Sequence, residues 1–516
     1  MGFYSFGLCL LLLSHAVLAQ TERYWSDFPA AGALQLSDLS AEQQLMLSEH
    51  LNLSSAQTEL WLDQLPQLLN ELSCQSLDLQ SQPLPAYLDE SYKLVSYGGV
   101  LKWASEDKTK DTVWWLPWSL LPLLPQLKDR LTDPSLQLHQ PLLLDELQLA
   151  NKGQFLVISG SAEIKPSYYA LQLNNIEQPK LLWSIDAAVT GFDDLSGSMA
   201  QPLVWQSQKG LSLLLPNTGV DPRNTLIYKV SLQTAAIEAR LSREQNQSAL
   251  SGALTLYDHN MDSVADHLVF SSKSGQLWQV VVEDHQFYGI QTVADLSDLR
   301  ISDVQFIDLI YAAVPVAGSG SDFHSRRSQW LILLSALQQK QSVFVLLKPQ
   351  DGLVLTRPDL VDRTLPKPPQ LPAFTDLDWQ QVQQKNGWYS QLDGRLSHSP
   401  VVAAGVIYLP LLAQEPQQAC SIESVPASLM ALHIHHGASV YRQGVFSVPQ
   451  PLGKLVVKAN TAGGFALVER HNQQILIEEL EEISADCSLC SKPLQQGSFP
   501  RWQLMGTYHN EEGAYE

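Results

Sequence analysis

Three observations predict an all-β fold behind a short helical lead. Short runs of alternating apolar and polar residues begin at Tyr92, turn residues of the Asp, Asn, Gly and Gln type separate them, and no long helical period follows Leu88. The third excludes all-α and parallel α/β architectures. The 516 residues would allow several domains at roughly 100–200 residues each, but repeat folds use such a length as one unit.

Taken in order, residues 1–19 hold an apolar stretch from Phe6 to Leu13 and end in Val17-Leu18-Ala19, which predicts a secretory signal cleaved before Gln20. Positive charge ahead of the stretch comes from the amino terminus alone, which leaves an anchored start as the alternative, and Cys9 lies inside the stretch rather than after a lipobox, so no lipid anchor is expected. No other run of 18 apolar residues occurs, and the mature chain is expected to be soluble, with no membrane span. Ser40 with Gln43, and Ser54 with Gln57, have capping-box spacing and predict two helices between Ser40 and Ser73. Trp61, Leu65, Leu68 and Leu72 give the second its apolar stripe, with Pro66 as a kink or boundary. A Pro/Gln/Ser-rich stretch around Gln80 to Pro85 ends this lead, and the boundary is placed near Leu88.

Beyond it one unit recurs seven times: a strand, a polar turn and a second strand. The copies begin at Gly98, Tyr168, Thr225, Gly275, Val343, Ser428 and Gly464. A β-sandwich would also yield such hairpins. A propeller is favoured because ring closure leaves only short, protected edges. The expected architecture is therefore a seven-bladed propeller of modified type over residues 89–505, with 20–88 as helical lead and 506–516 as an acidic tail.

Charge and motif content narrow the function. There are 53 acidic against 32 basic side chains, a formal net charge of -21, and no Lys/Arg cluster, so nucleic acid and anionic lipid are not expected partners. No G-x-S-x-G, P-loop, G-x-G-x-x-G or H-E-x-x-H sequence occurs, and the chain is expected not to be an enzyme. A quinoprotein dehydrogenase, also a calcium-containing propeller, is the enzymatic alternative, although its adjacent-cysteine element is absent. Cys74, Cys420, Cys487 and Cys490 permit three full pairings, and a structural bridge or unpaired thiols are expected over redox or zinc chemistry. His433, His435 and His436 read as polar alternation on an exposed strand, with metal ligation as the other reading; Trp114, Trp115 and Trp118 read as core rather than a ligand platform.

The sharpest chemical signal is Asp258-His259-Asn260-Met261-Asp262-Ser263-Val264-Ala265-Asp266 ahead of an apolar strand. Calcium needs six to eight oxygens at short range, and Asp258, Asn260, Asp262 and Asp266 supply side-chain oxygens at positions 1, 3, 5 and 9, with the Val264 carbonyl at position 7. Ser263 stands where an EF-hand has Gly, and Val269 where it has Glu, so the loop is not an EF-hand. The plain alternative is a polar loop folded by Asx turns.

Several segments in order carry a resemblance. Tyr97-Gly98-Gly99-Val100-Leu101 leads to Trp115-Leu116-Pro117; Leu131-Thr132-Asp133-Pro134 and His139 follow, then Tyr168-Tyr169-Ala170-Leu171 with Leu182-Trp183. Ser198 to Pro202, Asn217-Thr218-Gly219 and Leu226-Ile227-Tyr228 come next, then the Asp258 loop with Gly275-Gln276-Leu277-Trp278. Gly387-Trp388-Tyr389, Leu392, Gly394-Arg395, Ser399-Pro400-Val401-Val402, Cys420 and Arg501-Trp502 complete the series. Together they resemble the carboxy-terminal β-propeller of the PilY/PilC type IV pilus tip and assembly proteins. The resemblance implies a calcium loop at Asp258, Asn260, Asp262, Val264 and Asp266 that regulates pilus extension and retraction. It also implies pilins or minor pilins as partners, and a place in the periplasm, in the outer membrane or at the surface or pilus tip of a Gram-negative bacterium. The alternative is a propeller scaffold that docks envelope proteins without touching pili.

Overall fold

The computed structural model describes residues 22–26, 41–74, 86–87, 92–97, 99–105, 112–130, 142–144, 155–160, 166–173, 179–197, 200–207, 210–220, 225–243, 248–315, 326–338, 341–364, 384–413, 427–441, 445–448, 452–460, 463–470, 473–483 and 491–493. The signal segment, the acidic tail, Leu131 to Pro134, His139, Cys420, Cys487, Cys490 and Arg501-Trp502 lie outside these residues.

Both helices of the lead form: α1 is Ala41–Leu51 and α2 is Ser55–Cys74. The capping box starts α2, with the Ser54 amide donating to Gln57 Oε1 at 2.9 Å and the Gln57 amide to Ser54 Oγ at 3.4 Å. Pro66 lies inside α2, which continues to Cys74 rather than ending there. Leu62, Leu65, Leu69 and Leu72 are its buried stripe, while Trp61 and Leu68 are only partly buried at its margin.

In chain order the described residues form seven sheets of three or more strands. The first joins Glu22–Ser26, Thr112–Leu116, Val100–Ser105, Tyr92–Tyr97 and Ala86–Tyr87. The second is Leu142–Leu144, Phe155–Gly160, Ser167–Leu173 and Lys180–Asp186; the third is Leu203–Ser207, Gly210–Pro216, Thr225–Ser231 and Ile237–Ser242. The fourth is Leu250–Tyr257, His267–Ser272, Gln276–Val282 and Phe287–Asp295, with Leu355–Thr356 added in parallel. The fifth is Asp303–Pro315, Arg326–Gln338, Gln341–Leu347 and Gly387–Leu392, with Val361–Asp362 added in parallel. The sixth is built on Val406–Ala413, Ala427–His433 and Val445–Val448, and the seventh on Leu455–Ala459, Phe465–Glu469 and Ile475–Ile477. A two-stranded pair, Glu481–Ile483 with Ser491–Pro493, follows.

Each sheet shares an apolar cluster with the next. Trp115 meets Tyr169 between the first and second sheets; Tyr168 and Tyr228 belong to the cluster between the second and third, and Leu226 and Phe270 to that between the third and fourth. Val269 and Ile332, then Phe344 and Ile407, then Tyr408 and Leu467 mark the remaining three. Strand periodicity explains the arrangement: successive side chains point to opposite faces, so a strand between two neighbours is apolar throughout. Thr112–Leu116 is buried at all five positions for this reason. Its Trp115 faces the second sheet, while Trp114 and Leu116 face α1 and α2 in a cluster with Leu47, Leu65 and Leu69. His50 adds a ring stacked on Trp118 at 4.0 Å and a hydrogen bond of 2.8 Å to the Trp118 carbonyl. The boundary expected near Leu88 lies outside the described residues, and the helices cover one face of the first sheet.

The unit beginning at Val343 pairs differently from the sequence reading. Its first strand, Gln341–Leu347, pairs with Gly387–Leu392, and Leu355–Thr356 leaves to join the fourth sheet. Gly387 is required where it stands, because a Cβ there would lie 2.0 Å from the Leu346 carbonyl oxygen.

Candidate metal centre

The Asp258 loop connects the two antiparallel strands Leu250–Tyr257 and His267–Ser272 of the fourth sheet. Tyr257 and His267 are the last residues in register before it opens, and the Asp266 amide donates to the Tyr257 carbonyl at 3.2 Å. Inside the loop the side chains fold back on the backbone. Asp258 Oδ1 and Oδ2 accept the amides of Asp262 (3.1 Å) and Ser263 (2.6 Å), and Asn260 Oδ1 accepts the Asp262 amide at 2.9 Å. Asp262 Oδ1 accepts the Val264 amide at 2.9 Å. Such a tight wrap needs left-handed backbone, and Met261 and Ser263 have φ of 62° and 74°. Ser263 therefore occupies the conformation for which a calcium loop normally uses glycine.

Three of the predicted side chains, Asp258, Asn260 and Asp262, are thus drawn onto the same run of amides. Asp266 is drawn elsewhere: its Oδ1 accepts the His259 amide at 2.8 Å and pairs with His267 Nδ1 at 2.8 Å. Burial pushes the Asp266 carboxyl up, but the hydrogen bonds from His267 and His259 and the two nearby imidazoles outweigh it and leave it below the usual carboxylate range. Burial, followed by the negative charges of Asp266 and Asp351, pushes the Tyr257 phenol well above its ordinary value. Among the described residues, no three His, Cys, Asp or Glu side chains are grouped so as to hold a metal ion. The side chains turned onto the amides of Asp262 to Val264 are two carboxylates and one amide oxygen.

The donor chemistry nonetheless fits a hard cation. Every candidate atom is oxygen, and an oxygen accepting one N–H retains a second lone pair. His259 and His267, which the sequence reading passed over, border this site; their signal was their position beside the first and last acidic residues of the loop. The ring centroids of His259 and His267 are 4.7 Å apart, and Tyr257 lies 5.3 Å from His267 and 5.1 Å from Trp330.

The loop is tied to the neighbouring sheet at its exit. Trp205 of the third sheet donates its indole N–H to the Ala265 carbonyl at 2.6 Å, and the Val282 amide donates to the Asp266 carbonyl at 2.8 Å. Lys229 lies over the Trp205 ring at 3.8 Å and donates to the carbonyls of Glu283 and Asp284, with Glu238 at 3.5 Å. This buried ammonium links the third and fourth sheets beside the loop.

The histidine cluster departs from its sequence reading. Only His433 belongs to a strand; His435 and His436 form the turn after it, and the three are 2%, 4% and 2% exposed. The period-2 argument failed because the strand ends at His433. A compact turn folds the rings inward, with His433 and His436 stacked at 3.7 Å. Gly437, at φ 64°, closes the turn against Trp388, whose indole donates to the Ile434 carbonyl at 2.9 Å. Burial, then His433, His435 and Arg363, hold the His436 imidazole far below its ordinary value. Trp114 and Trp115 are fully buried and Trp118 is half-buried. No described helix is long and apolar enough to cross a membrane.

No protein-family model matches the chain, and no curated protein sequence matches it. Among solved structures, the Pseudomonas aeruginosa PilY1 C-terminal domain is similar, with a TM-score of 0.50 and 15% identity over 75% of this chain and 91% of that one. The WD40 domain of SCAP from fission yeast matches with a TM-score of 0.33 and 9% identity over 73% of this chain and 80% of that one. At this identity the first likeness is one of fold: an all-β chain of stacked sheets with the PilY1-like β-propeller architecture.

Proposed function

We propose that the chain is a secreted, non-enzymatic, calcium-binding propeller of type IV pilus assembly, its seven sheets arranged as a ring of seven blades. The observation that carries this reading is the fold likeness to the PilY1 C-terminal domain over 75% of the chain. The ordered series of sequence resemblances, with the acidic loop among them, adds to it. Pilins or minor pilins are the partners that follow, in the periplasm, in the outer membrane or at the cell surface or pilus tip.

Asp258, Asn260, Asp262 and the Val264 carbonyl would hold the ion, with Asp266 as a further donor. A bound calcium supplies positive charge that offsets the loop carboxylates. The chain's own part is transmission. The Ala265 carbonyl is held by Trp205, and Trp205 packs against Lys229, so order in the loop bears on the contact between the third and fourth sheets. A small local change biases a packed interface in this way when the ion prefers one arrangement.

The test is a count of surface pili, by shearing and electron microscopy, in a deletion strain complemented with the wild-type chain or with Asp258→Ala. Loss of pili on deletion, restored by wild type and altered by the variant, is the expected result. Unchanged piliation on deletion would overturn the pilus role in favour of a docking scaffold.

A further inference from the structure

We propose that His267 competes with the ion for Asp266 and so sets how tightly the loop holds calcium; this rests on the calcium reading above. Four predicted donors sit in one loop, but they are not equally available. Asp258, Asn260 and Asp262 turn onto the amides of Asp262 to Val264, whereas Asp266 Oδ1 is engaged by the His259 amide and by His267 Nδ1, each at 2.8 Å. Those two contacts use both lone pairs of Oδ1. To give the ion more than its second oxygen, Asp266 must leave His267, and a hydrogen bond to a charged group is among the stronger ones.

His267 is a well-placed competitor because its packing fixes it. Its side chain is 14% exposed against 26% for Asp266, and it lies directly across the strand pair from Tyr257. The Tyr257 ring lies 5.3 Å from His267 and 5.1 Å from Trp330. The imidazole is thus the more confined of the two, while the carboxylate chooses between two partners. A protein whose binding-competent arrangement is only fractionally populated binds with an affinity reduced by that fraction. His267 is a positioning residue in this sense: it never touches the ion, yet it sets that fraction.

The experiment uses the full mature chain and calcium chloride in isothermal titration, with the Trp330 part of the intrinsic fluorescence, taken as the difference from a Trp330→Phe variant, as a second readout. His267→Phe keeps an aromatic ring against Tyr257 and removes the donor, and it should bind calcium roughly 3- to 10-fold more tightly. His267→Gln keeps an N–H donor and should remain near wild type. Calcium should shift Trp330 emission in wild type and much less in His267→Phe, because Asp266 no longer moves away from the ring beside Tyr257. If His267→Phe does not fold, His267→Leu provides the same test. No binding by wild type would overturn the calcium loop itself. Binding by wild type with equal or weaker affinity in the folded variants would overturn only the competition.

Discussion

The Asp258 loop and the His433 turn are both short polar segments between strands, and they solve opposite problems. The loop keeps its carboxylates at the surface and satisfies them with its own amides, three of which point at side-chain oxygens of Asp258, Asn260 and Asp262. The turn takes three imidazoles out of water and presses them against each other, while its Gly437 lies against Trp388. Charge is tolerated in the first and expelled from the second. Polar residues of similar density thus report a hydrated loop in one place and a packed corner in the other, and burial decides between them.

The packed corner should break most easily. A Cβ at Gly437 would lie 2.6 Å from the Trp388 ring, at a φ of 64° that L side chains seldom adopt. Gly437→Ala should therefore cost about 3 kcal/mol or more, read as a lowered midpoint in urea unfolding. A midpoint unchanged from wild type would mean that the turn is looser than described. Alanine at Asp258 should have a different signature. Without calcium it should change stability by less than about 1 kcal/mol, since the loop is exposed, but it should remove a calcium-dependent gain of about 2.7 kcal/mol at a hundredfold excess over Kd. Differential scanning calorimetry with calcium and with chelator separates the two effects.

Acid should separate the regions further. Burial holds the His398 imidazole down at about 4 and places His436 lower still. Both are depressed below the unfolded value of about 6.5, so their neutral forms contribute stability that is complete above that pH and is lost as pH falls. His398 alone accounts for about 2 kcal/mol at pH 5. Asp266 is depressed from the carboxylate range, and its contribution is lost only at lower pH. Melting at pH 7.5 and pH 5.0 should thus show a drop that His436→Phe lessens and Asp266→Asn leaves alone. The smallest effect belongs to Ser263→Gly, which relieves a left-handed non-glycine residue and should add about 0.5 kcal/mol.

Much of the fold was legible because strands announce themselves locally. The Thr225 and Gly275 units match the hairpins Thr225–Ser231 with Ile237–Ser242 and Gln276–Val282 with Phe287–Asp295. The Val343 unit misled because pairing is not a local property: the true partner, Gly387–Leu392, lies some forty residues on, which alternation alone does not reveal. At the loop, oxygen spacing identified Asp258, Asn260 and Asp262 as a set. It could not show that Asp266 faces His267, because that contact depends on where the imidazole lies beside Tyr257 across the strand pair. The histidine turn was misread for a related reason, since nothing in the spacing of His433, His435 and His436 records where the strand stops.

One segment bears on how the sheet edges are protected. Between Leu355 and Asp362 the chain adds a short parallel strand to the edge of the fourth sheet and then another to the edge of the fifth. Tyr389 fastens the second by donating its hydroxyl to Asp362 at 2.8 Å, and Thr356 with Asp359 caps the bend between them. Open strand edges invite strands from other molecules, so this clasp denies two of them to passing polypeptides. It also means that prising these two sheets apart would have to peel both additions from one continuous stretch of chain.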